Sequence, residues 1–283
     1  YDYDSQHNTW TRCSALDVQG KKGLEAQGSV QNGRYRVFVG NTHNPLYDNT
    51  LYIRTLTGNV ETRALFPDTA AKKERRERIA LVFDAMDSAD GLARILSVLS
   101  EYRVAGTFFL NGEFIRRYPL EAKQIASSGY ECASLFFTAA DLTASDFIVD
   151  DDFIKRGLAR AEDEVYTATG SELSLFWHAP GYKATAAIKA AGSRAGYRYV
   201  DAGKLSLDTV TFESAVKNPA QQYLTASQII SYYLATVQDG YILPVSTGIA
   251  TGSRSDYLYE KLDLLIGALL DAGFELVPLR EVL

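Results

Sequence analysis

Ile79 to Phe83 is a run in which every position is apolar, and it ends abruptly on Asp84. A strand buried on both faces reads as such a run, whereas a strand with one wet face alternates, so the segment predicts a buried parallel strand. Downstream, Leu92, Ile95, Leu96, Val98 and Leu99 recur at helical spacing, and Val104 to Leu110 turn extended again. The order β-α-β predicts a parallel sheet crossed by helices, with Asp84 at the C-terminal end of a strand, where α/β proteins keep their chemistry. Capping the next turn is the plainer role open to the same aspartate.

The pattern before residue 70 is different. Tyr35–Val39 and Thr50–Leu56 are short strand-like runs, and Thr57-Gly58-Asn59 turns the second of them into Val60–Phe66, which predicts a hairpin in a half-exposed antiparallel sheet. Pro67 to Arg78 carries mixed charges (Lys72, Lys73, Glu74, Arg75, Arg76, Glu77) and reads as a solvated linker or helix. The expected organisation is a β-rich region at 1–70 and an α/β domain at 71–283. Region 1–70 is open between an independent module, the remainder of a longer one, and extra strands on the sheet.

Composition narrows the class rather than the function. At 283 residues, 46% hydrophobic and 23% charged, the chain suits one large α/β domain with an appendage. A net charge of -6 argues against nucleic acid or an anionic membrane as partner. No apolar run approaches a membrane span, and no signal-peptide pattern opens the chain. Opening on Tyr1 fits a chain processed or cut from a longer one. Cys13 and Cys132 leave the compartment open, Cys132 lying in an apolar strand as a buried free thiol.

From Arg78 on, a series of motifs resembles one family. Ala80-Leu81-Val82-Phe83-Asp84-Ala85 with Gly106-Thr107-Phe108-Phe109-Leu110-Asn111-Gly112, then Ile125 to Glu131, Phe176-Trp177-His178-Ala179-Pro180-Gly181-Tyr182, Asp239 to Leu243 and Leu269 to Leu279 resemble, in order, the segments of the NodB-homology polysaccharide deacetylases, carbohydrate esterase family four. The resemblance covers about three-quarters of the chain, a normal domain length. It implies a distorted parallel β/α barrel, a carbohydrate or peptidoglycan-like ligand, and an extracellular, periplasmic or envelope-associated setting.

Against that family's machinery the chain departs at most of the positions that do chemistry. The resemblance implies a general base at Asp84 and a divalent metal held by the next residue and by two histidines of the second motif. Those three positions are Ala85, Leu135 and Ala139, none with a ligand atom, and the chain's three histidines are His7, His43 and His178, away from residues 130–142. His178 stands where an arginine would orient the base, and Ser246 where a general-acid histidine would stand; serine has no pKa near neutrality and cannot take that role. The expectation is therefore no metal, no cofactor and a degenerate member of the family. The alternative is a hydrolase acting on carbon–nitrogen bonds or carbohydrate esters by a metal-independent route around Asp84, His178, Asp201 and Ser246.

Candidate ligand contacts are Trp177, Tyr182, Phe136 and Asp201, the aromatics because rings at strand ends stack against sugars. His178 among apolar neighbours also suits a hydrogen-bonded structural histidine. Asp150-Asp151-Asp152 precedes a helical pattern and reads as cap and first turn rather than a cation site. The oligomeric state is not readable from the sequence.

Overall fold

The protein is described here by a computed structural model that covers residues 76–144, 148–202, 207–217, 222–249, 254 and 256–283, together with the backbone of four short strands nearer the N-terminus. The chain divides into two compact units, Tyr1–Glu74 and Arg75–Leu283. In the first, β1 (Asp2–Asp4) pairs antiparallel with β2 (Thr9–Thr11), and β3 (Thr50–Arg54) pairs antiparallel with β4 (Val60–Ala64). The β3–β4 pair is the hairpin expected from Thr57-Gly58-Asn59; the β1–β2 pair has no counterpart in the sequence reading. The strand expected at Tyr35–Val39 lies outside the described residues.

The second unit is built on β5 (Arg78–Ala85). Its first apolar residues, Ile79 to Phe83, are fully buried, as a strand covered on both faces requires. Beside it run β6 (Thr107–Leu110), β7 (Glu131–Ser134), β8 (Phe176–Trp177) and β9 (Arg198–Tyr199) in that order, with β10 (Ile242–Ser246) on the far side of β5. β11 (Glu275–Leu276) joins the first residues of β5. Every pairing is parallel. The sheet curls into a partial barrel with helices outside, so the α/β barrel-like fold expected from the sequence is the one observed.

Alternation along the strands sorts side chains into two layers. Ile79, Leu81, Phe83 and Ala85 join Phe108, Leu110, Leu243 and Val245 under the helices, whereas Ala80 and Val82 join Phe109, Ala133, Leu135 and Ile242 in a second cluster on the other face. Asp84 shares the parity of the second set and points with it. Burying each large apolar side chain contributes roughly 1.5–3 kcal/mol, and that is what fixes which face Asp84 takes.

The helices follow their patterns. α1 (Leu92–Tyr102) buries Leu92, Ile95, Val98 and Leu99 and ends on Arg103 in the left-handed region. That stop delays β6 to Thr107, so the strand is shorter than the Val104 start expected from the run of apolar residues. α2 (Gly112–Arg117) and α3 (Pro119–Ser127) follow β6. α4 (Asp151–Thr169) is capped by Asp150, whose carboxylate accepts from the Phe153 amide at 2.8 Å, with Asp151 and Asp152 in the first turn. The acidic triplet thus serves the helix, as expected. α5 (Ala186–Arg194), α6 (Phe212–Lys217), α7 (Ala226–Thr236) and α8 (Leu262–Asp271) complete the outer layer. Cys132 is buried and free, its thiol pushed up to about 12, chiefly by burial.

Candidate functional site

Asp84 is the penultimate residue of β5, with Ser246 of β10 opposite it on one side and Phe109 of β6 on the other. One carboxylate oxygen, Oδ1, carries two contacts: His178 Nε2 at 3.2 Å and the Tyr182 hydroxyl, which donates at 3.1 Å. The His178 and Tyr182 rings stack at 3.9 Å with only 8° between their planes, and Phe109 tilts against the imidazole. His178 is fully buried. Its other nitrogen, Nδ1, faces the Ala179 carbonyl at 3.0 Å. Both ring nitrogens therefore face oxygen acceptors, and a neutral imidazole has one N–H to give. The tautomer decides which contact is the hydrogen bond: with the proton on Nε2 the imidazole donates to Asp84, and with it on Nδ1 it donates to the Ala179 carbonyl.

Tyr182 reaches Asp84 from a strained backbone. It sits at φ 59, directly after Gly181 at the same angle, in the short turn Pro180–Tyr182. For a residue with a side chain this region costs on the order of 1–3 kcal/mol and persists only where its surroundings hold it. Burial, reinforced by the neighbouring Asp84 charge, holds the Tyr182 phenol well above its usual range, so it acts as a donor.

A second carboxylate joins the cluster that sequence reasoning did not single out. Asp208 is 3% exposed; its Oδ2 accepts from the Ser246 amide at 2.6 Å, and its Oδ1 has no hydrogen-bond partner. Burial above all, with a smaller push from Asp84, raises its carboxyl to about 7, against the hydrogen bond from the Ser246 amide and a weaker pull from Arg254. No apolar run leads into Asp208 as one leads into Asp84, so only the folded chain reveals it. Ser246 itself donates from Oγ to the Gly248 carbonyl at 3.1 Å and accepts from the Gly248 amide at 3.2 Å. Thr247 donates to the Ser88 carbonyl at 2.7 Å and so ties the loop after β10 to the loop after β5.

On the β7 side the mouth is apolar. Leu135 is 1% exposed and packs with Phe109 and Ala133. Asn111, fully buried, donates through its amide to the Leu135 and Phe136 carbonyls at 3.0 and 3.2 Å while its oxygen caps α2. Ala85 lies in the helix-side core and Ala139 is exposed. Among the described residues no group of three His, Cys, Asp or Glu side chains converges. The donors at these positions do not fit the divalent ion that the resemblance implies.

Three of the expected ligand contacts stand elsewhere. Trp177 is fully buried, edge-on to Tyr199 and beside Phe136, and Phe136 is 1% exposed in the same cluster. Neither ring is open to a sugar. The reason is α4: Gly157 lacks the Cβ that would strike the Phe136 ring, and Gly192 of α5 makes the same room for Trp177. Asp201 points to solvent, paired with Lys189, rather than into the mouth. Asp84, His178, Tyr182 and Ser246, by contrast, are brought together.

Comparison with known proteins agrees with this architecture. Residues 71–200 match the family model described as polysaccharide deacetylase. A peptidoglycan-N-acetylmuramic acid deacetylase of Bacillus subtilis is 29% identical over 126 residues, 44% of this chain and 46% of that protein. A chitooligosaccharide deacetylase of Rhizobium leguminosarum bv. trifolii is 35% identical over 79 residues, 28% of this chain and 36% of that one. The chain thus spans less than half the length of these two relatives. Among solved structures, a CE4 family pseudoenzyme from Bacillus anthracis superposes with a TM-score of 0.58 at 17% identity, over 74% of this chain and 66% of that one, which supports the fold alone. Residues 71–200 thus resemble the polysaccharide deacetylases, and the fold is the one seen in carbohydrate esterase family four structures.

Proposed function

We propose that this domain is a catalytically inactive relative of the polysaccharide deacetylases that binds a carbohydrate of the cell envelope at the barrel mouth. The observation that carries the reading is Leu135, a buried leucine packed into the sheet's inner cluster where the family's chemistry needs an imidazole on a metal. Metal-assisted deacetylation needs the ion to polarise the carbonyl and activate water, and neither Ala85, Leu135 nor Ala139 has an atom to hold one. The relatives named for peptidoglycan and chitooligosaccharide point to a glycan as the ligand class and to the envelope as the setting. Asp84, through its second oxygen, offers an acceptor to a sugar hydroxyl.

The alternative of metal-independent hydrolysis has the Asp84–His178 pair in its favour but lacks a nucleophile. The Ser246 hydroxyl is engaged with Gly248, and no base lies within hydrogen-bonding reach of it among the described residues.

The deciding experiment is metal analysis of protein never exposed to a metal column, together with acetate release from acetylated chito-oligosaccharide and peptidoglycan fragments. The reading expects no stoichiometric divalent metal and no acetate above background. Metal-stimulated acetate release that disappears in Asp84→Asn sinks it. Metal-independent release that disappears in the same variant supports the alternative.

A further inference from the structure

Away from the residues of the Asp84 cluster, the loop after β7, Glu113 of α2 and the first half of α4 line an open cavity of about 560 Å3. That lies within the range of small-molecule sites. Its aromatic lining is the half-buried Phe137 and Phe153 over the buried Phe136, and its charged lining is Arg156 and Arg160 with Glu113. Asp84, His178, Tyr182 and Asp208 do not line it.

Arg156 and Arg160 stand four residues apart on α4, so they are neighbours on one helix face. Two like charges at that spacing repel. Both side chains are exposed, and among the described residues neither pairs with a carboxylate, although the chain is rich in acids and pairs Arg116 with Glu164 and Arg194 with Asp151. Arg160 lies over the Phe137 ring at 4.0 Å, with Arg116 against the same ring at 5.0 Å. Stacking fixes the guanidinium plane without consuming its N–H donors, which remain available at the edge. Glu113 is a weaker presence: one of its oxygens accepts from the Ala139 amide at 3.4 Å. The cavity therefore combines aromatic faces, a pair of arginines without acid partners and one acceptor.

We propose that this cavity binds an acidic sugar, its carboxylate or phosphate held between Arg156 and Arg160 and its ring resting against Phe153. An oxyanion removes the repulsion between the two arginines, and guanidinium groups match its geometry in pairs of hydrogen bonds. A ring carrying hydroxyls uses Phe153 and Glu113. The assignment does not depend on what the Asp84 cluster does.

Calorimetric titration with a glucuronate-terminated disaccharide, glucose 6-phosphate, inorganic phosphate and a neutral disaccharide tests it. The expected result is binding of one or both acidic sugars, which separates carboxylate from phosphate, with the neutral disaccharide weaker by about tenfold or more. Arg156→Ala with Arg160→Ala weakens the acidic sugar by a similar factor while the chain stays folded, the Arg160–Phe137 contact being the packing interaction removed. Arg160→Lys keeps the charge but loses the planar fork and falls between. The proposal is overturned if no acidic sugar binds, if the neutral sugar binds as well, if the double variant binds like the parent, or if inorganic phosphate binds as tightly as the sugar phosphate.

Discussion

Asp84 and Leu135 are separated by two strand spacings, roughly 10 Å, yet the two halves of the mouth they occupy follow different rules. On the β5–β10 half the interior side chains are polar and most are satisfied: Asp84 by His178 and Tyr182, Ser246 and Thr247 by backbone. On the β7 half, Leu135 has been taken into the sheet's inner cluster, with Asn111 fastening the carbonyls behind it. A buried polar group persists where it has partners, and where partners are absent the position is better filled by a methyl group. The difference teaches that the mouth is not uniformly degraded. One half is a hydrogen-bonded cluster and the other has become core.

The sharpest way to break this comparison is Trp177→Ala. If the β7–β8 half is core, the loss of a fully buried indole costs about 3–5 kcal/mol in urea unfolding, and any change in ligand binding follows the change in stability. Unchanged stability with selectively lost glycan binding makes that half a ligand surface after all. On the other half, Asp84→Ala strands a buried imidazole and a phenol, and the expected cost is about 3 kcal/mol. A loss below about 0.5 kcal/mol means the cluster is not held by that carboxylate.

Asp208 gives the comparison a pH axis. Its folded value of about 7 lies above the value near 4 of an exposed aspartate, so between about pH 4 and 7 the folded chain keeps a proton that the unfolded chain releases. Its contribution to stability is whole below about pH 4 and is lost as pH rises through about 7, with a slope of at most about 1.4 kcal/mol per pH unit. Asp208→Asn, followed by denaturant melts across that window, is expected to flatten the slope. The smallest effect is Ser246→Ala, about 1 kcal/mol or less, because its hydroxyl serves a local turn. A larger loss gives Ser246 a role beyond that turn.

Much of this was legible in the chain because one signal was dense. The apolar run from Ile79 to Phe83 suits a doubly covered strand, and the aspartate that closes the run then stands near the sheet's end. Asp84, Tyr182 and Ser246 follow from strand ends in the same way. Trp177 and Phe136 were misplaced because an aromatic at a strand end reads the same whether it faces a cleft or a helix, and Gly157 and Gly192, which decide the matter, are far away in sequence. Asp208 was illegible for a related reason: its partner is the Ser246 amide, 38 residues on, and no local pattern records that contact.

The fit of Phe136 against Gly157 has a consequence for anyone building chimaeras from relatives of this chain. The ring, set at φ 58, and the missing Cβ are two halves of one joint written in separate segments. A crossover between them passes on only half of the joint. Graft the loop onto a helix with alanine at that position and the ring collides; graft the helix beneath a loop with a smaller residue and a hole opens. Donor segments have to be chosen so that 136 and 157 come from the same parent, a constraint on recombination that no inventory of active-site residues contains.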